Sequence, residues 1–212
     1  MLFIAHDGNF FVYQFNDVYN FFLHLGFANS WSSSGVFSFN APAWSVSIEV
    51  LLYLIFFPIV LRFNCSWFMC ISISIAAYVL NEFSPQLFLP ALSIFFYGGF
   101  TFHLTKAISG KGMALKYPIV LLTCTLWLLV VCHFYLVDIN GLIQLSDIQP
   151  IRLLYRVFFP LFSDFILFPL TIISLALIEI DRGDFLKRMS WMGDITYSSY
   201  MLHFPLQLCY AL

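Results

Sequence analysis

FNAPAWSVSIEVLLYLIFFP, residues 39 to 58, sets one carboxylate inside a stretch otherwise suited to the hydrocarbon of a bilayer. A charged side chain there costs at least a few kcal/mol, about 2.5 or more at mid-span, so Glu49 calls for a partner or a proton. Helical spacing sets Ser45, Glu49 and Tyr53 at i, i+4 and i+8, so hydroxyl, carboxyl and phenol share one face of the segment. Such a face has to meet protein or a water-filled cavity. A polar stripe of this kind is either a functional site or a hydrogen-bond network between helices, and spacing leaves both open.

The rest of the chain agrees with a lipid solvent. Of its 212 residues 61% are hydrophobic, 20% aromatic and only 9% charged, whereas water-soluble domains carry about a quarter charged residues. Phe occurs at 27 positions, and rings in that number can face lipid without the penalty that water would impose. The net charge of −2 and the lack of a basic run exclude a nucleic-acid binder, which needs a dense cationic footprint. Cys65, Cys70, Cys124, Cys132 and Cys209 lie in or beside apolar stretches, with no CxxC pair or metal-ligand spacing, and read as small buried hydrophobes. The first ten residues, MLFIAHDGNF, lack the charged start and the apolar run of a signal peptide, so internal spans are expected to direct membrane insertion.

Apolar stretches of spanning length predict helices at about 43 to 61, 67 to 80, 87 to 105, 118 to 137, 156 to 179 and 194 to 212. Residues 10 to 27 add a polar-interrupted stretch that suits a partial span or an interfacial helix. The expected fold is all-α: a polytopic transmembrane helix bundle of about six spans plus that N-terminal helix, forming a single membrane domain over residues 1–212. Strict alternation places Arg62, Lys106, Lys111, Lys116, Arg182, Lys187 and Arg188 on one side, seven of the nine basic residues, as the positive-inside rule expects of a cytoplasmic face.

A second polar face lies near the C-terminus. In SWMGDITYSSYMLHFPLQ, Thr196, Ser199, Tyr200 and His203 fall at i, i+3, i+4 and i+7, and Asp194 is placed to cap the helix. His203 is either a proton carrier or a satisfied interfacial group. Asp164, in LFSDFILFP between Pro160 and Pro169, lies within a span with no cation nearer in sequence than Arg156, and a functional role and a structural one are equally open to it. Tyr97, Gly98 and Gly99 suggest close helix packing, because no phosphate-binding spacing surrounds them.

Taken together, Asn40 to Pro58, with Trp44, Ser45, Glu49 and Tyr53, and Trp191 to Pro205, with Gly193, Asp194, Tyr197, Tyr200 and His203, resemble two motifs of the acyltransferase 3 family of integral membrane acyltransferases. NFFLHLGFANSW ahead of the first motif and FFYGGFTFHL between the two add weaker similarity, so the resemblance runs along most of the chain in family order.

The resemblance implies transfer of an acetyl or similar acyl group from acyl-CoA, a co-substrate rather than a bound cofactor, to a hydroxyl of a cell-surface carbohydrate. The setting it implies is a bacterial inner membrane. The bilayer and the carbohydrate acceptor are the implied partners. Acyl transfer to an alcohol needs a base for the hydroxyl proton and donors for the developing oxyanion. Within the resemblance, Glu49, Ser45, Trp44 and Tyr53 are the catalytic candidates, with Glu49 orienting an imidazole rather than acting as nucleophile. Tyr197, Tyr200, His203 and Asp164 are the substrate or support candidates. Family members also carry earlier helices with a basic histidine and an arginine-containing donor segment, to which His6 and His24 do not correspond. Residues 1–212 are therefore expected to be the C-terminal portion of such a domain, incomplete and inactive alone. A transporter or flippase component for a polysaccharide precursor, with Glu49, Asp164 and His203 lining its path, is the alternative.

Overall fold

The computed structural model describes residues 17–31, 38–40, 42–63, 65–139 and 158–183, together with single positions between 187 and 202; of residues 113, 114 and 134–139 the backbone alone is described. Every regular element among them is helical: α1 Val18–Leu25, α2 Ala43–Phe63, α3 Trp67–Phe83, α4 Phe88–Ser109, α5 Met113–Ile139 and α6 Phe158–Arg182. Asp194, Tyr197, His203, Pro205 and most of the sixth expected span lie outside the described residues.

Among the described residues, four helices are long and apolar enough to cross a bilayer, namely α2, α4, residues 115–133 of α5, and α6. The chain is an integral membrane protein. The second expected span, α3, has 17 residues, a rise of about 25 Å at 1.5 Å per residue, which is the lower limit for a span. The stretch at 10 to 27 contributes the eight-residue α1, too short to cross, capped by Asp17, whose carboxylate accepts from the Asn20 backbone N–H at 2.7 Å.

The distribution of side chains is that of a lipid-solvated bundle. Ser47, Ser74, Ser93, Thr101, Thr123 and Ser174 are buried, while Leu54, Phe57, Phe102, Leu121, Leu128 and Ile172 are exposed. Lipid is as apolar as leucine, so small side chains that allow close approach and hydrogen bonding collect between the helices.

The chain divides into two compact units, residues 1–95 with 186–212, and residues 96–185. In the first, α3 and α4 meet at Ser74 and Ser93, where the Ser93 hydroxyl donates to the Ser74 carbonyl at 2.9 Å. Phe95 of α4 packs edge-on to Phe56 and Tyr53 of α2, at centroid distances of 5.3 and 6.1 Å.

In the second unit α5 and α6 run antiparallel in a register marked by three polar pairs. The Lys116 ammonium donates to the Asp181 carboxylate at 2.6 Å, Thr123 and Ser174 share a hydrogen bond at 2.8 Å, and the Trp127 indole donates to the Thr171 hydroxyl at 2.9 Å. Seven residues from Lys116 to Thr123 answer seven from Asp181 to Ser174, so these pairs recur at two-turn spacing on the facing sides of both helices. Lys116, expected in a loop, is thus a buried residue in the first turns of α5. Arg182 complements the C-terminal end of the α6 dipole, and Gly183, at φ 59°, ends that helix in the left-handed region.

Candidate functional site

The start of α2 is built around Pro42, whose carbonyl is the common acceptor of the site. It takes the Ser45 backbone N–H at 3.4 Å and the Ser45 hydroxyl at 3.2 Å. The Tyr200 hydroxyl, 158 residues further along the chain, donates to the same oxygen at 3.2 Å. Both are helical residues of the first unit, so folding brings the WSVSIE segment and the C-terminal TYSSY segment to one point.

Two to three turns into the helix, the Tyr53 hydroxyl donates to Glu49 Oε1 at 2.7 Å. The Phe95 edge and the tilted Phe57 ring at 6.0 Å hold the Tyr53 ring in place. Glu49 is exposed, and Trp44 and Tyr53 are 40% and 42% exposed. The predicted partnership between carboxyl and phenol is present. Ser45 does not join it, because its hydroxyl turns back to Pro42 and serves the helix start.

The opposite face of α2 is buried. Ser47, fully enclosed, accepts the Ser30 backbone N–H on its hydroxyl at 3.0 Å, and its carbonyl accepts the Trp31 indole N–H at 2.9 Å. The segment after α1 is therefore fastened to α2 beneath the Glu49 face. Farther along, the His24 ring and the Ser38 hydroxyl share a hydrogen bond at 2.9 Å, and Phe39 stacks edge-on to His24. Phe27 and Phe39 hold φ of 53° and 47°, left-handed values that bulky residues adopt only when packing compels them. Among the described residues, Asn29 Oδ1 and Asn40 Oδ1 are buried side-chain acceptors with no donor. Unpaired acceptors are scarce in folded proteins, and a donor there would be bound without first displacing a protein partner.

In the second unit Asp164 lies in a π-helical turn, Ser163–Leu167. The single Ser163 hydroxyl proton is shared between the Pro160 carbonyl at 2.9 Å and the Asp164 carboxylate at 3.2 Å. The Phe168 N–H is committed to the Ser163 carbonyl, and residue 169 is a proline without an N–H. The α-helical donor to the Phe165 carbonyl is thereby missing, and the Tyr97 hydroxyl replaces it at 2.9 Å. Tyr97, read from the sequence only as part of a packing motif, is the polar member of that motif; Gly98 is exposed, and a Cβ there would meet nothing within 4 Å, so it allows no close approach.

No protein-family model, curated protein or solved structure matches this chain. The site is described by its own geometry alone.

Of the residues expected to act, Glu49 and Tyr53 are joined, Ser45 and Tyr200 converge on Pro42, and Trp44 stands exposed in the first turn of α2. Asp164 belongs to the second unit and is held by Ser163. Ser47, Trp31, Tyr97, Lys116 and Asp181 were not singled out for the contacts they make. For Tyr97 a signal existed: Pro169 stands four residues after Phe165 and removes that carbonyl's α-helical donor.

Proposed function

We propose that the chain, taken as one membrane domain over residues 1–212, belongs to a membrane-bound acyltransferase that moves an acetyl or similar acyl group from acyl-CoA to a hydroxyl of a cell-surface carbohydrate. The observation that carries this reading is the bond from Tyr200 to the Pro42 carbonyl, since it joins the two segments whose sequences resemble acyltransferase 3 motifs. In this reading the Glu49 carboxylate, fixed by Tyr53, orients a basic imidazole and balances the charge that forms on it as the acceptor hydroxyl loses its proton. Trp44 offers an exposed ring for a sugar face.

The second reading, a transporter or flippase component, is favoured by the π turn at Asp164. A carboxylate in a π turn, where the α-helical ladder is interrupted, resembles the broken-helix sites that transporters use. One experiment separates the two: Glu49→Ala in cells that make the protein, with surface-glycan ester content and surface-glycan amount measured together. An orienting carboxylate predicts a loss of about a hundredfold in acyl transfer, with glycan export unchanged and part of the activity restored by Glu49→Asp. Normal acylation with failed export would replace the first reading by the second.

A further inference from the structure

The start of α3 holds two cysteines in contact. Ser66 is its cap, with the side chain accepting the Met69 N–H at 3.4 Å. Cys65 immediately precedes the cap, and Cys70 is the fourth residue of the helix. These are the two positions that a hydrophobic staple joins across a helix start, so the capping geometry itself drives the side chains together. Their sulfurs lie 3.2 Å apart. A disulfide bond is about 2.05 Å long, so closure needs a movement of about 1 Å within a contact that the cap already makes.

The two thiols differ in access. Cys65 is half-buried in the connection between α2 and α3, whereas Cys70 is 2% exposed. Both are reduced. An accessible cysteine beside a shielded one is the arrangement of an attacking and a resolving thiol.

We propose that Cys65 and Cys70 form a redox modification site that closes reversibly by exchange with a small-molecule disulfide of the glutathione class. Cys65, as thiolate, attacks one sulfur of glutathione disulfide, forming a mixed disulfide and expelling one glutathione thiolate. Cys70, giving up its proton, attacks the Cys65 sulfur, forming the protein disulfide and expelling the second glutathione. The protein loses two electrons and two protons, and glutathione disulfide takes up both to become two thiols. The bond so formed fastens the residue before the cap to the first turns of α3, replacing a staple held by contact with one held covalently.

The test uses the whole chain in detergent, equilibrated with glutathione buffers of known potential, quenched by alkylation and digested with trypsin. Cleavage after Arg62 and Lys106 leaves both cysteines in one peptide, residues 63 to 106, apart from Cys124, Cys132 and Cys209. That peptide is expected to lose two hydrogens and both alkylation sites under oxidation and to regain them with dithiothreitol. The ratio of closed to open peptide should change about tenfold for each 30 mV, as for any two-electron couple. In Cys70→Ser, a glutathione adduct should persist on Cys65. Two alkylated cysteines at every potential, an unresolved glutathione adduct in the unmodified sequence, or a bond from either cysteine to one of the other three would overturn the proposal.

Discussion

Replacing Tyr97 by Phe removes one oxygen and leaves the Phe165 carbonyl without the donor that compensates for Pro169. The ring contact survives, because Phe presents the same edge that Tyr97 places against Phe165 at 5.0 Å and 81°. The loss therefore isolates one hydrogen bond between α4 and α6. Hydrogen bonds between membrane helices average about 0.6 and reach about 1.7 kcal/mol. The expected destabilisation is about 1 kcal/mol, within that range. The decisive background is Pro169→Ala, which supplies the missing backbone N–H. There Tyr97→Phe should cost almost nothing, giving a coupling of about 1 kcal/mol in a double-mutant cycle. Unfolding of the four proteins by titration with sodium dodecyl sulfate in mixed micelles, followed by circular dichroism, measures it. Equal costs of Tyr97→Phe in both backgrounds would refute the assignment of the phenol as a substitute for the proline's missing donor.

The Lys116–Asp181 pair and His24 extend the same reasoning to charge. Lys116→Met should destabilise by about 1–3 kcal/mol in the same titration, less than the 3–5 of a fully enclosed pair because the Asp181 side chain keeps 24% exposure; adding Asp181→Leu should recover most of it. If the double replacement were worse than Lys116→Met alone, the pair would not be what joins these helix ends. Burial holds the His24 imidazole below its ordinary 6.5, against the opposing effect of its hydrogen bond to Ser38. The unfolded chain thus binds the proton at higher pH than the folded one, so this stability is complete above about 6.5 and is lost as pH falls through and below that value. Hydrogen-exchange protection in α1 should decline between pH 7.5 and 5.5, about the range that brackets an ordinary histidine, and His24→Gln should flatten that decline. A slope unchanged in His24→Gln would place the sensitivity elsewhere.

Membrane class and helix positions were legible in the residues because both depend on local composition. An apolar run of 18 or more residues has no other stable home than lipid, and the observed α2, α4 and α6 fall close to the stretches expected at 43 to 61, 87 to 105 and 156 to 179. The Glu49–Tyr53 bond was equally legible, since a four-residue step on a helix brings side chains together whatever surrounds it. Ser45 shows where that logic stops: the Pro42 carbonyl competes for the same hydroxyl at the helix start, and it wins. The contacts that needed tertiary structure are those between residues distant in the chain. Tyr200 reaching Pro42, Tyr97 reaching Phe165 and Lys116 reaching Asp181 depend on which helix lies beside which, and at what register. Sequence determined that this protein lives in lipid as helices and carries an acid on one of them. Tertiary packing decided which groups satisfy one another, because in an apolar solvent each buried donor and acceptor finds its partner on whatever helix the fold brings alongside.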